Sequence, residues 1–102
     1  MAKIIDITDK LEFAGNPIIK IAGEEFEVNS DAETVLKLMA VVSDGSDIKT
    51  VTEGINLLFD EKARKKLYKI KKNGNKLTVN DLIIIVQTAM DAIMGDDKED
   101  TQ

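Results

Sequence analysis

The chain has no histidine, no cysteine and no tryptophan, and a single proline among its 102 residues. Each absence closes off a chemistry. Without histidine there is no Ser/His/Asp or Cys/His nucleophilic site, and without histidine and cysteine there is no zinc site of the usual ligand types. Without cysteine there is also no disulfide framework, which suits a reducing cytoplasm. Four aromatic residues, Phe13, Phe26, Phe59 and Tyr68, cannot fill an interior, so the core has to be aliphatic. No apolar run is longer than that from Leu82 to Val86, far short of the roughly 20 residues that span a membrane. The start MAKIID lacks the charged-then-apolar plan of a signal peptide. Carboxylate, lysine or tyrosine chemistry stays open in principle, but no spacing promotes it. The residue content therefore points to a non-enzymatic binding protein with no cofactor and no metal.

What the chain does have is segregated charge. Lys62, Arg64, Lys65, Lys66, Lys69, Lys71, Lys72 and Lys76 lie within fifteen residues that hold no acid. The net charge is −5, so these eight cations leave −13 for the remainder. A basic segment on an acidic protein marks an electrostatic contact with nucleic acid or an acidic partner, or else a plain solvated face. The sequence pI of about 4.7 counts against nucleic acid, as does the lack of aromatics interleaved with the lysines apart from Tyr68.

Hydrophobic period predicts an α+β, mainly α fold: one N-terminal β-hairpin and about four helices. The domain is expected to span 1–95, with an acidic disordered tail at 96–102. Residues 1–16 read as an arm, in which Ile4, Ile5 and Ile7 could form a short strand. The hairpin is expected at 17–28, turning at Ala22-Gly23-Glu24, with Ile19, Ile21, Phe26 and Val28 on one face. Two strands alone are marginal, so the hairpin has to pack on helices, or pair with residues 4–7 or with another chain. The helical part is expected at 31–94. Ser30-Asp31-Ala32-Glu33 reads as a capping box for a first helix to about Val42, whose inward stripe is Ala32, Val35, Leu36 and Met39. The loop Ser43–Asp47 fails the spacing of a calcium loop and caps a second helix carrying Ile48, Val51, Ile55, Leu58 and Phe59. A third helix at about 61–72 has Ala63, Leu67 and Ile70 as its stripe, and Asn73-Gly74-Asn75 breaks it. Thr78 and Asp81 form a second capping box. The helix that follows, about 79–94, carries Val79, Leu82, Ile83, Val86, Ala89, Met90 and Ile93 inward and ends at Gly95.

Several apolar residues fall off these stripes: Leu38 and Val41 on the first helix, Leu57 on the second and Ile84 on the fourth. Together with Lys65, Lys69 and Lys72 they are the candidate partner-binding residues. Their alternative reading is a packing that buries both sides of some helices.

The ordered segments KIIDITDKLEF, PIIKIAGEEFEVN, SDAETVLKLM, INLLFDEKARKKLYKI and LTVNDLIIIVQTAMDAIMG resemble, over about residues 3–95, the small tail assembly chaperones of siphophages and prophages of Gram-positive bacteria. The resemblance implies a protein that acts by binding in the host bacterial cytoplasm. Its partners would be the long helical tape-measure protein, which such chaperones coat and keep soluble, and the tail-tube protein, with self-association as a further expectation. The family has no established catalytic residues to carry over. The competing reading is a small regulatory protein that binds nucleic acid or an acidic partner through residues 62–76.

Overall fold

The computed structural model describes residues 2–43 and 48–95. Ser43 of the expected loop Ser43–Asp47 is helical; its residues 44–47 and the expected acidic tail 96–102 lie outside the described residues. Among them the chain forms β1 (Ile18–Ile21), β2 (Glu24–Glu27), α1 (Ala32–Ser43), α2 (Ile48–Leu58), α3 (Glu61–Lys69), β3 (Lys71–Lys72), β4 (Asn75–Lys76) and α4 (Val79–Ile93). The α+β, mainly α class is thus as expected, with two additions: a short 3-10 turn at Thr8–Lys10 in the arm and a second hairpin between α3 and α4.

Strands β1 and β2 pair antiparallel, with Ile19 opposite Phe26 and Ile21 opposite Glu24. Two residues make the turn, Ala22 at φ 50° and Gly23 at φ 82°. Left-handed backbone at both positions is the primed turn whose twist matches that of the strands. The inward face is the expected one. Phe26 and Val28 are fully buried, and Ile19 and Ile21 pack half-buried against the same core. No third strand joins β1 and β2 among the described residues. Residues 4–7 are exposed and pair with neither strand, which corrects the expectation of a strand there.

The hairpin is locked to the end of α2. The Asn29 backbone N–H donates to the Leu58 carbonyl at 2.8 Å, and its side-chain amide donates to the Leu57 carbonyl at 3.2 Å. Arg64 of α3 donates through Nη1 to the carbonyls of Phe59, at 2.7 Å, and Asn56, at 3.1 Å. A cation and an amide thus satisfy the orphan carbonyls of one helix end and complement its negative dipole. Below them Phe26 and Phe59 meet edge to face, with centroids 6.3 Å apart.

Two helix starts show how caps are chosen. At α4 the Thr78 hydroxyl accepts from the Asp81 backbone and the Asp81 carboxylate accepts from Thr78, the reciprocal box that was expected. At α1 the expected box slips by one residue. Asp31 is the cap, accepting from the Thr34 N–H at 3.1 Å and the Thr34 hydroxyl at 2.7 Å. The Ser30 hydroxyl instead donates to the Asn16 side chain, which also accepts from the Ser30 N–H.

The inward face of α1 is also corrected. Leu38 is 2% exposed, with Val35 and Val42 half-buried beside it, whereas Leu36 and Met39 are 67% and 47% exposed. The contact it makes lies on α2. Gly54 is buried there, and a Cβ built on it would stand 3.7 Å from Leu38 Cδ1 and 3.4 Å from Val86 Cγ1. These are ordinary contact distances, so a methyl group would fit there; Leu38 belongs to the same buried cluster as Ile55, Leu58 and Val86, and that packing sets the inward face of α1. On α4 the buried stripe is Ile85, Val86 and Ala89, flanked by Leu82, Met90 and Ile93. Val79 and, on α2, Ile48 turn out to be exposed because each stands in the first turn of its helix, at the margin of the core. No helix among the described residues is long and apolar enough to cross a membrane.

Candidate binding groove

Helix α3 begins at Asp60, whose carboxylate accepts from the Ala63 N–H at 2.8 Å. It ends where Ile70 turns to extended backbone. The chain then makes the second hairpin, in which Lys71 stands opposite Lys76 and Lys72 opposite Asn75. Asn73 at φ 56° and Gly74 at φ 82° form its turn. An Asn-Gly pair is the sequence best suited to this geometry, because both residues tolerate left-handed backbone. The signal is present in the sequence, where it reads only as a helix break. It shortens the expected third helix from 72 to Lys69.

This hairpin, the end of β1 and the first turns of α4 enclose a groove of about 480 Å³. Ile21, Ile70, Leu77, Ile84 and Ile85 supply its apolar lining, and Lys71, Lys72 and Lys76 stand around it. Asp81 also lines it, but its carboxylate is engaged with the Thr78 N–H at 2.9 Å. Opposing like charges across a strand pair are unfavourable, so Lys71 and Lys76 carry a cost that an anion placed between them would relieve.

The basic segment does not act as one surface. Arg64 caps α2. Lys66 reaches back to the first hairpin, 3.2 Å from the Glu25 carbonyl, 3.6 Å from the Glu24 carboxylate and 4.7 Å from the centre of the Phe26 ring. Lys65 pairs with Glu61 one turn earlier at 3.5 Å, where both side chains are exposed and the pair contributes little. Lys62, Lys69, Lys71, Lys72 and Lys76 have no ion-pair partner among the described residues. Three of these five surround the groove.

The structure therefore divides the expected binding residues. Lys72 and Ile84 come together in the groove, where Ile84 is 51% exposed. Lys65 and Lys69 lie on α3 away from its lining. Leu38 is a core residue, contrary to expectation, because α1 docks through it onto Gly54. Leu57 packs half-buried against the core, and Val41 is half-buried. Residues missing from the expected set are Lys71, Lys76, Ile21, Ile70, Leu77 and Ile85. No family model matches the chain, and no curated protein or solved structure matches it.

Proposed function

We propose that this protein is a non-catalytic tail assembly chaperone that binds the tape-measure protein and assists tail-tube assembly in the host bacterial cytoplasm. The observation that supports this reading best is the groove: an apolar lining with three surrounding lysines on an otherwise acidic chain. Such a site fits a helix that presents an apolar residue flanked by carboxylates. The apolar anchor would be desolvated in the lining, and the lysines would steer the approach and fix the register. A long, partly apolar tape measure offers such helices repeatedly. The −13 carried by the rest of the chain would keep the covered complex in solution.

The test is co-expression of the chain with a tape-measure protein, followed by fractionation. The reading expects that protein to move from the pellet to the soluble fraction only when the chain is present. Equal solubility with and without the chain rejects it.

A further inference from the structure

We propose that the N-terminal arm of one copy adds as a strand to the open edge of β1 in a second copy. The two edges of the first hairpin are not alike. The Val28 N–H donates to the Pro17 carbonyl at 2.9 Å, which fixes the alternation of the ladder. Pro17 and Val28, Ile19 and Phe26, and Ile21 and Glu24 are then the hydrogen-bonded pairs, while the backbone groups of Ile18, Lys20, Glu25 and Glu27 point outward. On the β2 side α3 reaches that edge, since Lys66 donates to the Glu25 carbonyl. On the β1 side no hydrogen bond to Ile18 or Lys20 from outside the hairpin is present among the described residues. An open edge of this kind is a template for another strand.

The arm is the matching element. Ile4, Ile5, Ile7, Leu11 and Phe13 are all exposed, Ile4 at 91% and Phe13 at 79%. The arm is anchored at Asn16, which bonds Ser30 and Glu27, and its base lies beside the start of α1 and the end of α4. From Asn16 to Ile4 the chain reaches at most about 40 Å, enough to cross to a neighbour. The segment 4–7 is followed by a 3-10 turn at Thr8–Lys10, at whose start Asp6 accepts from the Thr8 N–H at 3.0 Å, so that segment is as long as β1. Laid beside β1, it places Ile5 and Ile7 on the face of Ile19 and Ile21, which continues to the groove at Ile21. Asp6 then shares the outer face with Lys20, giving opposite charges side by side. Each copy offers one arm and one edge, so the match satisfies itself, by reciprocal exchange or around a ring.

The chain has no cysteine of its own, which makes a clean test available. Asp6→Cys is placed in one copy and Lys20→Cys in a second, size-tagged copy, and the mixed full-length proteins are oxidised. A crosslinked species containing both sizes is expected, together with a sedimentation coefficient above that of a monomer for the unmodified chain. Ile5→Asp with Ile7→Asp should weaken association roughly tenfold or more. Asp6→Lys should weaken it too, with recovery when combined with Lys20→Asp. Three outcomes overturn the proposal: a monomeric unmodified chain at high concentration, no mixed crosslink, or a chain carrying both Asp6→Cys and Lys20→Cys that closes its disulfide within itself as a monomer.

Discussion

The two hairpins use the same turn and do opposite things. Both place two left-handed residues between strands, Ala22-Gly23 in the first and Asn73-Gly74 in the second. The first buries Phe26 under α3 and closes the core, held by Asn29 and Lys66. The second exposes all four of its strand residues and sets lysine against lysine. Backbone geometry therefore does not decide the role. The side chains it presents do: an apolar alternation makes a structural piece, and a run of cations makes an exposed charged surface.

The largest effect on this contrast comes from emptying the first hairpin. Phe26→Ala should cost about 3–5 kcal/mol, since it removes a fully buried ring and its edge contact with Phe59. Leu38→Ala should cost about 2–5 kcal/mol for the same reason. Urea unfolding measures both. A loss below about 0.5 kcal/mol in either would mean that the core is placed wrongly.

The turns should respond in opposite directions. Ala22 holds left-handed backbone with a Cβ that disfavours it, so Ala22→Asn should raise stability by up to about 1 kcal/mol. Asn73→Ala introduces the same penalty and should lower it by about 1 kcal/mol. If thermal unfolding moves both variants the same way, the two turns are not equivalent.

Acid should act on the junction after the first hairpin. Asp31 is held below its ordinary value of 3.8 by hydrogen bonds from the Thr34 hydroxyl first and the Thr34 N–H second. The folded state thus favours the carboxylate. The stability this contributes is complete above the unfolded value and is lost as pH falls through the folded one. Asp31→Asn keeps a capping side chain but should flatten that limb of the stability curve, measured by unfolding from pH 7 downward. An unchanged slope would remove Asp31 from the account.

The smallest effect is expected in the second hairpin. Lys71→Glu replaces a like-charge pair by an attractive one and should raise the melting temperature slightly at low salt, and less at high salt. A fall would show that the lysines are not repelling each other.

How much of this was legible in the sequence follows the same division. The first hairpin, the α3 stripe and the α4 capping box could be read because alternation, spacing and cap chemistry agree there. Helix α1 could not be oriented. Val35, Leu36, Leu38, Met39, Val41 and Val42 make it apolar almost all round, so period alone does not choose a face. The choice is made by tertiary packing, which puts Leu38 in the buried cluster with Ile55 and Leu58 of another helix. In the groove, Ile84 and Lys72 were legible as surplus apolar and basic residues. Ile21, Ile70 and Leu77 were not, because only the fold brings the end of β1 beside the start of α4. The Asn-Gly pair between lysines was a readable hairpin signal, and it accounts for Lys71 and Lys76.

The central claim is that the lysine-ringed groove binds a partner and does not hold the fold. Substituting Lys71, Lys72 and Lys76 together by Glu tests it most directly, with unfolding followed beside calorimetric titration of a soluble helical segment of the tape-measure protein. The account predicts a folding stability within about 0.5 kcal/mol of the unmodified chain and a loss of binding of at least roughly tenfold. Binding that is undiminished in a folded triple variant would contradict it.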